Sequence, residues 1–290
     1  MSGGVTGSAP APALAGRVAL VTGANTGIGR ITARELARRG AHVFVTARTH
    51  ARAASVLDEI RAIPGCGTVE SLELELEDFA SIRRCAAAFL GRELPLHILV
   101  NNAGLAGSRA GLSRSGFEIA FGVNHVGTFL FTSLLLDRLR RSAPARVLTV
   151  SSAAHYRVSG IDWDAVRRPK ATFTGLQEYS VSKLANVLFS AELSRRLQGS
   201  GVTTYALHPG AVATDVWRHV PWPFRSLVRF VTITPEEGAL TTLHCATDPG
   251  VGRETGLYYE RCRPKAPSPA GADPELAAEL WRRSEAWTSI

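Results

Sequence analysis

The 290-residue chain reads as an α/β protein, a doubly wound parallel sheet of about seven strands with helices on both faces. Two patterns predict this. From Arg17 onward, short apolar, β-rich runs alternate with longer stretches of helical period, the signature of βαβ units whose sheet is covered on both sides. A glycine-rich turn also stands between the first strand and the first helix, where such folds bind nucleotides.

The expected strands cover 18–22, 42–46, 69–74, 97–101, 146–151, 203–208 and 256–259, separated by amphipathic helices such as 30–39 and 180–196. The run 129–136 is apolar almost all round, so its helix is buried on several sides, either by the sheet or by a second subunit of a homo-oligomer. The Pro-rich stretch 263–274 is expected to be an irregular connection before a final helix at about 274–287. This makes one domain over 15–290, preceded by a flexible tail over 1–14 made of small residues and proline.

Composition narrows the function. A hydrophobic fraction of 45% with 20% charged residues is that of a folded globular chain. The net charge of +8 comes with only three lysines, Lys170, Lys183 and Lys265, and with arginines spread along the sequence. No compact basic block of the nucleic-acid type appears, so nucleic acid is not an expected partner. The four cysteines are far apart with no C-x-x-C pair, which favours reduced thiols in a cytoplasmic protein. No uninterrupted apolar run approaches 20 residues, so no transmembrane segment is expected.

Thr22-Gly23-Ala24-Asn25-Thr26-Gly27-Ile28-Gly29 lies between a strand and a helix. Glycines there let backbone N–H groups approach a pyrophosphate, and the helix N-terminus adds partial positive charge. About 20 residues further on, where an NAD-binding fold places a carboxylate against the ribose hydroxyls, the chain reads Val45-Thr46-Ala47-Arg48-Thr49. With no acid to repel a 2′-phosphate and Arg48 placed to pair with one, NADP(H) is the expected cofactor.

Tyr179 and Lys183 stand four apart and so share a helix face. An ammonium beside a phenol stabilises the phenolate and moves its pKa from about 10 toward the working range. Ser152 ends the fifth strand, where a hydroxyl can hold a substrate oxygen.

The joint order of these motifs resembles the short-chain dehydrogenase/reductase superfamily, and within it the retinol dehydrogenase-like branch that includes the WW-domain oxidoreductases. Asn101–Gly104 matches the superfamily's Asn-Asn-Ala-Gly, Val123-Asn124-His125 its helix asparagine, and 209–214 its Pro-Gly-x-Val-x-Thr. The branch rests on Ser151–His155, on 179–186 with its Lys-Leu-Ala-Asn ending, on His208-Pro209-Gly210, on 236–239, on Leu243-His244-Cys245, and on the 27 residues between Ser152 and Tyr179.

The resemblance implies a single-domain Rossmann fold in which Tyr179 is the general acid or base, Ser152 polarises the oxygen, Lys183 binds ribose hydroxyls and Asn124 holds a water that links Lys183 to solvent. It places the cofactor against Gly23, Asn25, Thr26, Gly27, Ile28, Gly29, Arg48, Glu75, Leu76, Asn102, Ala103, Gly104, Tyr179, Lys183, Pro209, Gly210, Val212 and Thr214, and it requires no metal. Glu75 stands where relatives carry an aspartate. Retinoid-metabolising animal members generally carry an N-terminal membrane segment, and the tail here resembles none, which points away from retinoid.

The segment 215–234, with Trp217, Trp222, Phe224 and Phe230, corresponds to the superfamily's substrate lid. Its aromatics suit an apolar aldehyde, ketone or alcohol, and its arginines leave peripheral membrane contact open. The expected activity is NADP(H)-dependent interconversion of such a carbonyl and its alcohol. The alternative is a non-catalytic NADPH-binding regulator of the same fold.

Overall fold

The computed structural model describes residues 13–106, 111–170, 172–210 and 233–290. Its centre is one eight-stranded sheet in the order β3-β2-β1-β4-β5-β6-β7-β8. The strands are β1 Val18–Val21, β2 His42–Ala47, β3 Val69–Glu73, β4 Ile98–Asn101, β5 Ala145–Val150, β6 Val202–His208, β7 Leu257–Glu260 and β8 Arg263–Lys265. The first seven pair in parallel, and only β8 is antiparallel. The order reverses at β1, so β1 and β4 flank the crevice where such sheets bind ligands.

The apolar strands serve two cores. Ala19, Val21, Val43 and Val45 point to one face, packing with α1 (Gly27–Arg38), α2 (His50–Arg61) and α6 (Pro235–Thr247). Val18, Leu20 and Phe44 point to the other, which is covered by α3 (Phe79–Leu90), α4 (Ile119–Arg141), α5 (Leu176–Arg196) and α7 (Pro274–Thr288). Successive side chains alternate across a strand, so two covered faces demand a continuous apolar run.

Three elements differ from the sequence expectation. The stretch after β7 is not wholly irregular: β8 pairs Lys265 with Tyr258 and Arg263 with Glu260. Its tight turn uses Arg261 and Cys262 at φ 51° and 60°, a left-handed pair that carries no glycine or asparagine signal. Pro264 is tolerated because β8 is an edge strand. α5 starts at Leu176, four residues earlier than expected, and so encloses Tyr179 in its first turn.

α4 is the third. It has the length and mean hydropathy (1.6 over its best window) to cross a membrane, yet 78% of that window is buried inside the molecule. It is a core helix, and its polar Asn124, His125, Thr128 and Thr132 interrupt the apolar run in sequence while being buried in the fold. Its apolar surface is covered by the sheet and by the chain's own C-terminal helix. Trp281 meets Phe129 edge-on at 4.9 Å and stacks on Phe189 at 5.9 Å. Trp287 meets Phe117 at 5.2 Å. Ser284 Oγ lies 2.9 Å from His125 Nε2.

Asp273 starts α7 by accepting from the N–H groups of Glu275 and Leu276, ahead of Pro274 in the first turn. With Trp281 only 5% exposed, Trp281→Ala is expected to lower unfolding free energy by about 3–5 kcal/mol. Urea denaturation followed by circular dichroism measures it.

Candidate active site

Parallel pairing brings the C-termini of β1 to β7 to one edge, and the sequence-predicted residues follow those termini. The glycine turn follows β1, Arg48 follows β2, Glu75 and Leu76 follow β3, Asn102–Gly104 follow β4, Ser152 follows β5, and Pro209 and Gly210 follow β6. Val212, Thr214 and most of the expected lid lie outside the described residues.

The glycine turn is fixed by its neighbour. Thr22 Oγ1 accepts from the backbone N–H of Asn102 (3.0 Å) and of Ala103 (2.9 Å), while Asn102 Nδ2 donates to the Thr22 carbonyl (2.8 Å). The Gly23 N–H donates to Thr46 Oγ1 at 3.2 Å. Gly23 and Gly27 adopt φ of 62° and 55°, which glycine takes without strain. A Cβ at Gly29 would stand 2.4 Å from Asn102 Nδ2, and one at Gly23 2.9 Å from Ala103. Asn102 and Ala103 therefore hold the loop in place.

At the start of α1, Thr26 makes no side-chain cap and no acid stands in the first turn. The helix end keeps its positive character for an anion, and the backbone cradle suits a pyrophosphate. Arg48 is exposed and forms no ion pair among the described residues. Glu75 is half-buried, its N–H donating to Ser81 Oγ at 3.0 Å. The Leu76 carbonyl packs on α4 so tightly that a Cβ at Gly127 would come within 2.2 Å of it.

Beyond the crevice, α5 lays Tyr179 and Lys183 beside the end of β5. Lys183 is 4% exposed, and its Nζ donates to the Val150 carbonyl at 2.9 Å, which also accepts from Asn186 Nδ2 at 3.2 Å. Burial holds its pKa down to about 8. The ammonium lies 5.6 Å from the centre of the Tyr179 ring. It is also 3.4 Å from where a Cβ at Gly104 would stand, so glycine there keeps the approach to Lys183 open. Ser151 Oγ donates to the Lys183 carbonyl at 2.7 Å, fastening β5 to α5.

Burial raises the pKa of Tyr179, while a hydrogen bond with the Ser152 hydroxyl works the other way. The phenol ends above its ordinary range. The sequence expectation is of a phenol lowered by Lys183, whereas among these protein groups burial sets the direction. Ser152 Oγ accepts from the Ala154 N–H at 3.2 Å, which leaves its proton to the Tyr179 phenol oxygen.

Asn124 is held through both polar side-chain atoms. It sits in a π-helical turn, Gly122–Gly127, within α4, an irregularity common at functional sites. Its Oδ1 accepts from Leu105 N (2.8 Å), and its Nδ2 donates to the Leu105 carbonyl (2.9 Å) and to Ser182 Oγ (2.9 Å). Both amide hydrogens are used, and the side chain ties the 104–105 loop to α5. Thr22, Thr46, Ser182 and Asn186 are site residues that sequence reasoning missed. Thr22, Thr46 and Asn186 act on backbone groups distant in sequence, and Ser182 links the Tyr179 carbonyl to the distant Asn124 amide. Thr22 in the glycine motif and Asn186 in the Lys-Leu-Ala-Asn run carried some signal.

A family model described as short chain dehydrogenase matches residues 17–221. Human retinol dehydrogenase 12 is 45% identical over 276 residues, covering 93% of this chain and 86% of that protein. Among solved structures, an uncharacterized protein from Mycobacterium paratuberculosis superposes with a TM-score of 0.77 at 34% identity, covering 97% of this chain and 96% of the other. The Pseudomonas aeruginosa RhlG/NADP active-site complex superposes at 0.69 with 31% identity, covering 87% and 96%.

Lys183 yields a pH-dependent prediction. Its folded pKa, about 8, lies below the ordinary 10.5, so the buried charge destabilises the fold fully below pH 8. That cost fades as pH rises from 8 to 10.5. Lys183→Met, which removes the charge but also the bond to Val150, is expected to gain on the order of 2 kcal/mol at pH 7. Thermal denaturation across pH should show the gain shrinking above pH 8.

Proposed function

The chain belongs to the short-chain dehydrogenase family, and from that premise we propose that it is an NADP(H)-dependent oxidoreductase interconverting an apolar aldehyde or ketone and its alcohol. The observation that carries this reading is the convergence of Ser152, Tyr179 and Lys183 beside the Val150 carbonyl and Gly104. A binding module has no need to bury an ammonium there.

Several features support NADP(H). Arg48 is exposed at the end of β2, Val45–Thr49 holds no carboxylate, and a structural relative is described as an NADP complex. The backbone of 23–29 and the start of α1 would hold the pyrophosphate, Arg48 the 2′-phosphate and Lys183 the nicotinamide-ribose hydroxyls. When bound, the nicotinamide donates or accepts the hydride. The chain's residues orient the partner and manage one proton. Ser152 donates a hydrogen bond to the substrate oxygen, and Tyr179, protonated at neutral pH by its raised pKa, gives its proton to that oxygen in reduction. The same phenol accepts a proton in alcohol oxidation.

An apolar substrate is supported by the aromatics of 215–234 and by a relative named for retinol. Purified protein with NADPH and a panel of aliphatic, aromatic and terpenoid carbonyls is expected to oxidise the cofactor. Tyr179→Phe should lower kcat at least about 100-fold, and an unchanged rate would remove Tyr179 from the reaction. Arg48→Asp should weaken NADPH about tenfold or more relative to NADH, and equal affinities in the wild type would defeat the cofactor assignment.

A further inference from the structure

Ser152 stands two residues beyond β5 and leads into a short 3₁₀ turn, Ala153–Arg157. Its backbone lies beyond the strand ladder, which ends at Val150. We propose that His155 is the positioning residue for Ser152, gripping the serine carbonyl and anchoring it to the segment between β8 and α7. The proposal rests on the reading of Ser152 as the group that holds the substrate oxygen.

The His155 side chain is completely buried and has two polar neighbours of opposite kind. Its Nδ1 lies 2.7 Å from the Ser152 carbonyl, which can only accept, and its Nε2 lies 3.1 Å from the Ser268 N–H, which can only donate. The ring must therefore carry its proton on Nδ1 and a lone pair on Nε2. It is a neutral imidazole in a single tautomer, consistent with burial holding its pKa below the ordinary histidine range.

The His155 backbone N–H also donates to the Ser152 carbonyl, at 3.1 Å. Two donors on one carbonyl fix the plane of the peptide that leaves Ser152, held at φ −161° and ψ 155°. That plane sets where Cβ and Oγ point. The far side is anchored too: the Tyr156 hydroxyl donates to the Ala266 carbonyl. Lys265 Nζ lies 5.1 Å over the Tyr156 ring, and Tyr258 packs edge-on against His155 at 4.8 Å. The turn bearing Ser152 is thus stapled to 265–268, and His155 is the staple that touches the serine.

Two conservative variants separate the bonds. In His155→Asn the side-chain amide reaches the place of Nδ1 and can donate to Ser152, whereas in His155→Gln it reaches the place of Nε2 and can accept from Ser268. With NADPH and the best carbonyl of the panel, H155Q is expected to lower kcat about tenfold, one hydrogen bond's worth, with KM for NADPH unchanged. H155N should stay within about threefold of wild type, although its Tm falls as far as that of H155Q. In a Ser152→Ala background, H155Q should cost nothing further. Equal kcat losses that track Tm, or an H155Q that keeps full kcat, overturn the proposal.

If the variants do not fold, 15N spectra of histidine-labelled wild type decide it. A neutral ring protonated on Nδ1 supports the grip, and an Nε2–H ring or an imidazolium at neutral pH refutes it. A wild type that binds NADPH but reduces no carbonyl instead defeats the reading of Ser152, and the catalytic consequence of the grip falls with it.

Discussion

Parallel strand pairing is the constraint on which the rest of this protein depends. In a sheet whose first seven strands run the same way, each of those strands ends at one edge, and the carbonyls and N–H groups at that edge must be paired by whatever follows. The loops do this with side chains rather than with ladder bonds. Thr22 Oγ1 takes two N–H groups from the stretch after β4, and Lys183 and Asn186 share the last carbonyl of β5. The groups that satisfy the edge and the groups that face the crevice are largely the same.

Satisfying that edge sets stability against chemistry. An ammonium 4% exposed on Lys183 is costly to bury, and a single carbonyl bond offsets only part of it. The phenol of Tyr179 is likewise driven toward its protonated form by burial. Such strain is tolerated because the surroundings are over-determined: Ser151 ties β5 to α5, Asn124 ties the 104–105 loop to α5, and His155 ties Ser152 to the C-terminal segment. Neutral hydrogen bonds hold a charged group where water would otherwise win it.

The C-terminal helix completes the fold by a similar economy. The continuous apolar surface of α4 that invites either a membrane or a second subunit is met by Trp281, on Phe129, and Trp287, on Phe121, of the same chain. An aromatic cluster buries large area with few rotatable bonds, so one short helix suffices to cover that side of α4 and α5.

Much of this was legible in the residues. Apolar runs of strand length, the glycine turn before a helix, and the Tyr179–Lys183 spacing are local patterns, and local patterns set secondary structure and the parallel order. The strand β8 was not legible, because its turn relies on left-handed Arg261 and Cys262 rather than on residues that prefer that conformation. Nor was the role of Asn124, since its partners Leu105 and Ser182 lie 19 and 58 residues away in sequence. By itself the sequence determined the layers, the glycine turn at the crevice and the candidate set of Ser152, Tyr179 and Lys183. Tertiary structure alone decided their protonation and aim, because pKa and direction depend on burial and on hydrogen-bond partners that only folding brings together.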